Sequence, residues 1–139
     1  MQQDALIRAD GPESYHAAHG EYHPQLRSLL YQRSYYDIFL FDLTGTMIYS
    51  VAKEADYGTS FGAESSGPWK ASGLGSAVRA ALAEPDEISF ADWAAYGPSG
   101  AQAAFLATGI SVAADFAWDF DERRPLFEPK VICSIVFRR

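Results

Sequence analysis

The spacing of apolar residues changes period along the chain. From Ser14 to about Arg33 the residues suit helix, with Gly20 and Pro24 as punctuation. In PQLRSLLYQR, Leu26, Leu29 and Leu30 recur at helical spacing, and a proline is tolerated in a helix's first turn. Two helical pieces joined at EYH are therefore expected. The period then shortens: YYDIFLF and TMIYSVA are β-branched and aromatic runs on either side of DLTG, a hairpin pattern in which Gly45 can supply the positive φ of a tight turn.

The Gly- and Ser-rich stretch KEADYGTSFGAESSGPWKASG predicts a long loop, which Tyr57, Phe61 and Trp69 would anchor. Ser72 is placed to cap the helix GLGSAVRAALAE, whose Leu74, Ala77, Val78, Ala81 and Leu82 form its inward face. ISFADWAAY, GPSG and AQAAFLATGISVAA read as a second hairpin, and the final segment holds one more strand-like run, VICSIVF. Hairpins separated by a helix imply an α+β domain, an antiparallel sheet of about five strands with a helical insert after the second, PAS-like in outline. The expected organisation is an N-terminal helical segment over 1–34, a core over 35–110, and a distinct tail over 111–139 that adds a last strand.

Composition narrows the function. At 139 residues and 48% hydrophobic content, one domain with its own core is expected. The net charge of -7, with no cluster of Lys and Arg, argues against nucleic acid as a partner. No apolar run approaches the ~20 residues of a membrane span, and MQQDALIRADGPES has no signal-peptide pattern, so the chain by itself would be cytoplasmic. The single cysteine, Cys133, sits in an apolar run and reads as a core residue.

Several stretches taken together resemble the extracytoplasmic PAS-like (Cache-type) sensor domains of bacterial methyl-accepting chemotaxis proteins and related membrane signalling proteins. They are Tyr15 and His19 with YHPQLR, then YYDIFLFDLTG, IYSVAKEADYGTSF, SGL and DWAAYGPSGAQAAFLATGI, covering positions 15 to 110. The resemblance implies a signal-input module for a small solute in the periplasm, no enzymatic activity, and a membrane-anchored parent protein. After Ile110 the chain departs from the family pattern, where residues 1–110 hold 6 basic and 13 acidic side chains and the last 29 hold five of each.

Candidate chemistry follows from these segments. A ligand pocket needs an apolar wall, a few inward polar groups and a covering loop. Tyr49, Lys53, Asp56 and Tyr57 leave the second strand, and Trp69, Asp92, Trp93 and Tyr96 could meet them; Lys53 suits a carboxylate, Asp56 or Asp92 an amine, and the rings a flat or cationic ligand. FLFDLTGTM locally matches the phosphohydrolase motif of the haloacid dehalogenase superfamily, with Asp42 as nucleophile. That chemistry needs a following helix and a later acidic pair, whereas TMIYSVA continues as a strand, so no catalytic residue is assigned. His16, His19 and His23 would share one face of an unbroken helix, a geometry that could hold Zn²⁺, but Gly20 and Pro24 argue against an unbroken helix, and the resemblance implies a scaffold role for His19 and His23; no metal or cofactor is expected. Two further alternatives are a ligand-free structural module and a homodimer formed through the N-terminal helices.

Overall fold

The computed structural model describes Ala5, residues 13–119 and residues 124–139. Its element order is α1 (Glu13–Arg33), β1 (Asp37–Phe41), β2 (Met47–Ser50), α2 (Gly73–Ala83), β3 (Ser89–Tyr96), β4 (Ala101–Asp119) and β5 (Arg124–Arg138). The strands form one antiparallel sheet in the order β2-β1-β5-β4-β3. With a helix before the first strand and another after the second, this is an α+β, PAS-like fold. The tail beyond Ile110 does more than append a strand: β5 is the central one, paired with β1 from Asp37↔Val136 to Phe41↔Ile132 and with β4 along its length.

Each face of the sheet buries its own cluster. Phe39, Phe41, Phe105, Ile132 and Val136 point toward α2, where Leu74, Ala77, Val78 and Ala81 meet them and Phe61 closes the end. Ile38, Tyr49 and Val51 point the other way, toward Leu30 and Leu26 of α1. Strict alternation along β2 would put Met47 and Tyr49 on the same face. A register irregularity opposite Leu40/Phe41 separates them, pairing Leu40 with Tyr49 and Phe41 with Met47. One extra residue, half-exposed Ile48, flips the side chains that follow.

Local chemistry sets the boundaries. In the turn after β1, the Asp42 carboxylate accepts from the backbone N–H of Thr44 and Thr46 and from the Thr44 hydroxyl. Gly45 takes φ +87° there, and a Cβ on it would meet the Gly62 nitrogen at 2.6 Å. Ser72 caps α2 as its sequence implies, accepting from the Gly75 N–H at 3.3 Å.

Two expectations change. The N-terminal segment is one helix, with Pro24 inside it. Proline removes the bond to the Gly20 carbonyl, but His16, His19 and His23 on the near side and Leu30 on the far side are buried against the same sheet, which holds both halves in line. The helix ends at Ser34 (φ +56°) with the Tyr35 N–H bonded to the Leu30 carbonyl, a Schellman closure. The expected Leu26, Leu29, Leu30 stripe is also split: Leu26 and Leu30 pack on the sheet in line with His16, His19 and His23, while Leu29, about 100° around the helix from Leu30, is exposed. No described helix is long and apolar enough to cross a membrane.

Candidate functional site

The site grows from the exit of β2. Asp37, fully buried at the start of β1, accepts hydrogen bonds from the backbone N–H of Ile38, Val51 and Ala52 and from the Ser50 hydroxyl. These bonds hold the end of β2 against β1 and fix where the chain leaves the sheet. Lys53 then takes φ +55°, and a turn follows in which the Tyr57 N–H bonds the Glu54 carbonyl while Thr59 closes on the Asp56 carbonyl through both its N–H and its hydroxyl. Neighbours in this turn point opposite ways. Asp56 goes inward, where its Oδ2 accepts the Tyr96 hydroxyl at 2.5 Å. Tyr57 goes outward, and its hydroxyl meets that of Tyr15 on α1 at 2.7 Å.

Aromatic rings wall the inward side. Tyr96 stands edge-on to Phe105, centroids 5.0 Å apart, and to Trp69 at 6.4 Å. Trp69 lies across the backbone of Gly97, where an added Cβ would sit 2.7 Å from the indole. Only a glycine admits the ring so close, and the long loop is pinned there to the end of β3.

Charge collects in the same place. Beside Asp37 and Asp56, Glu54 accepts the Tyr36 hydroxyl, and the Arg138 guanidinium lies 4.8 Å from the centre of the Tyr36 ring. Burial pushes Asp37 up to about 7 despite its four donors, and burial raises Glu54 and Asp56 as well. The Tyr36 phenol is pushed up to about 12, first by burial and then by its bond to Glu54. Asp56 is fully buried; the backbone N–H groups of Asp56 and Tyr57 act on its carboxyl from nearby, but its Oδ1 makes no well-formed hydrogen bond among the described residues. A desolvated carboxylate oxygen left in that state is costly, by about 1–3 kcal/mol, and a cationic hydrogen-bond donor would relieve it.

Of the eight candidates from the sequence, Asp56, Trp69 and Tyr96 come together here. Tyr49 lies on the opposite face, its hydroxyl 2.6 Å from His23 Nδ1. Lys53 leans toward it, Nζ 5.8 Å from the Tyr49 ring centre. Tyr57 is on that side too, through Tyr15. Asp92 and Trp93 stand on edge strand β3, where the Asp92 carboxylate accepts the Trp93 N–H at 2.8 Å and the Arg139 guanidinium covers the indole at 4.3 Å. The strand irregularity between Ala91 and Ala94 and the β2 bulge redistribute side chains that sequence alternation would have aligned.

Tyr36, Asp37 and Glu54 were not among the sequence candidates. Asp37 had a visible signal, a carboxylate at the head of an otherwise apolar strand. At Asp42, burial alone would raise the carboxyl, but the hydroxyl and N–H donors of its turn outweigh this and hold it below its ordinary value. The chain runs from that turn directly into antiparallel β2, with no helix between. His16, His19 and His23 do share one buried face, with His19 and His23 stacked at 4.4 Å. Among the described residues no group of three His, Cys, Asp or Glu side chains could hold a metal ion. No protein family, curated protein or solved structure matches the chain.

Proposed function

We propose that this domain is a small-solute sensing module, a signal-input unit of the chemoreceptor kind, that binds a solute bearing an ammonium group at Asp56 and relays the change to α1. The observation that carries the reading is the buried Asp56 carboxylate with one oxygen unmatched, walled by Tyr96 and Trp69 and flanked by Glu54. An ammonium group supplies the missing donor and the opposite charge, and the rings suit its cationic face. The relay follows from the turn geometry. A solute that moves Asp56 also moves Tyr57, whose hydroxyl contact with Tyr15 is the link to α1. Signalling requires that the two arrangements bind the solute with different affinity.

Calorimetry and thermal shift against amines, amino acids and organic acids test this. Amine-bearing solutes are expected to raise Tm, with at least a tenfold loss of affinity in Asp56→Asn. Affinity should climb as pH rises through the Asp56 titration, because burial raises that pKa and the cation binds the ionised form. Stabilisation by none of these solutes at millimolar concentration would overturn the reading.

The ligand-free structural reading has its own support. The space between the sheet and α2 is filled by the rings of Phe39, Phe41, Phe61 and Phe105. Under that reading Asp56→Asn raises Tm and no solute binds. Pairing of α1 with a second copy would use exposed Tyr22, Leu29 and Tyr31, and the solution mass of Leu29→Asp tests it.

A further inference from the structure

On the face of the sheet opposite α2, the contact with α1 runs through imidazoles. All three histidines of the chain, His16, His19 and His23, lie on this helix and are buried. The rings of His19 and His23 stack at 4.4 Å with 19° between their planes. Tyr49 of β2 stands against both, its ring centre 5.8 Å from each, and Tyr15 lies 5.8 Å from His16 and from His19. Beside them a groove of about 590 Å³ opens between α1 and the outer surfaces of β1 and β5, walled on the sheet side by Ile38, Leu40, Cys133 and Ile135. A helix is about 10 Å across and strands lie about 4.8 Å apart, so one helix covers roughly two of five strands and leaves this flank open.

Two features of this seat oppose a full load of protons. Imidazolium charges on a 4.4 Å stack would lie well inside the ~8–10 Å over which salt screens charge, in a contact closed to water, so the second proton on the pair meets the charge of the first. His23 Nδ1 and the Tyr49 hydroxyl are 2.6 Å apart, with room for one hydrogen. Burial first, and the Asp37 carboxylate second, raise the Tyr49 pKa, so that hydroxyl keeps its proton. An imidazolium at His23 carries hydrogen on both ring nitrogens and turns the Tyr49 hydrogen away. The ionisable groups around the groove are phenols and a thiol, Tyr15 and Tyr22 of α1, Tyr49 and Cys133, while β1 and β4 present Ile38, Leu40 and Ile110. Farther out stand two cations, Arg27 over the Tyr31 ring one turn after His23 and Lys53, 5.8 Å from the Tyr49 ring centre. His19 and His23 each have further interactions; a partner of one ring shifts that ring's own titration, and the repulsion across the stack remains.

We infer that the stacked His19–His23 pair makes the seat of α1 proton-sensitive: neutral rings pack on Tyr49, and acidification that charges both lifts the N-terminal half of the helix from the sheet. The hydrogen bond missing at Pro24 lets the halves part there, and Leu26 and Leu30 hold the far half in place. Release separates Tyr15 from Tyr57. This input lies across the sheet from Asp56 and goes beyond the amine-sensing reading. Imidazole ordinarily titrates at about pH 6.5, so a seat that disfavours the charged pair is held above that pH and weakens as pH falls through it.

Magnetic resonance of the histidine rings in the full chain, titrated from about pH 8 to about pH 5, tests the inference, because every imidazole signal comes from α1. The second ring of the pair should take its proton only as α1 loses protection. Hydrogen-exchange protection factors, from which the intrinsic pH dependence is removed, should fall at least tenfold for α1 amides from His16 to His23 and less than twofold for α2. This local readout keeps the effect apart from the titration of Asp37, which a melting temperature would mix with it. His19→Gln, which leaves one imidazole in the stack, should cut the α1 loss to less than twofold, and Asp56→Asn should leave it unchanged. If His19→Gln does not fold, the unaltered protein decides. Both rings charged with α1 protection unchanged, a ring still neutral at about pH 5, protection that grows on acidification, or equal loss in α1 and α2 each overturns the inference.

Discussion

Against α2 the sheet presents Phe39, Phe41 and Phe105, interlocked with Leu74, Val78 and Phe61, and every one of these side chains is essentially inaccessible to water. Against α1 it presents Ile38, Leu40 and Tyr49, and the helix answers with three imidazoles, one buried leucine and a hollow beside them. Both helices are held by the same five strands, so the contrast lies in what fills the gap. Hydrocarbon packed on hydrocarbon leaves α2 one low-energy seat. α1 is seated by a smaller apolar cluster, Leu26 and Leu30 on Ile38, Tyr49 and Val51, together with imidazole–phenol contacts beside the groove. The tighter hydrocarbon packing is on the α2 side of the sheet, and the groove is on the α1 side.

The contrast breaks most visibly under truncation. Phe105→Ala should cost about 3–5 kcal/mol, because the ring is central to the α2 face and Tyr96 packs on its edge. Leu26→Ala, beside the groove, should cost no more than about 2 kcal/mol, the low end for such truncations. Chemical denaturation measures both, and equal losses would erase the distinction between the faces.

Tyr96→Phe should cost about 1–3 kcal/mol, since it removes the hydroxyl that donates to the buried Asp56 carboxylate. The same denaturation experiment reads it.

Asp37 gives a pH signature. Its folded pKa, about 7, lies above the ordinary value of 3.8, so the folded state holds the proton more tightly. The stability it contributes is full below about 4 and is lost as pH rises through about 7. Tm measured from pH 4 to 8 should carry this downward component, and Asp37→Asn should remove it. The smallest expected effect is Ser72→Ala, about 1 kcal/mol from loss of the α2 cap, with the seating of α1 unchanged by hydrogen exchange.

Much of the fold was legible because local rules and tertiary context agreed. The two hairpins, the capped α2 and the long loop stand where alternation, turn residues and Ser72 put them. The continuity of α1 through Pro24 was not legible, since the contacts that override the proline come from the sheet. Nor was the bulge at Ile48, because a single inserted residue leaves the composition of β2 unchanged while reversing which face Tyr49 occupies. The same insertion divided the candidate site. Asp56, Trp69 and Tyr96 were identified from residue type and do converge, whereas Tyr49 and Tyr57 were assigned to that side and serve the other. Tyr36 and Glu54 escaped notice because their partnership spans 18 residues and depends on how the turn after Lys53 folds back.

The central position of β5 has a consequence for how the protein is made. Phe41 and its partner Ile132 are separated by about 90 residues, so at ~5–20 residues per second a ribosome needs roughly 5–20 s between them. Only toward the end of that interval have both the β1–β2 and β3–β4 hairpins been made, and until β5 follows each has an open edge where β5 belongs. Nascent chain in this state is a natural client for chaperones that bind exposed strands, and a stop codon before Val131 would release two hairpins with nothing to join them.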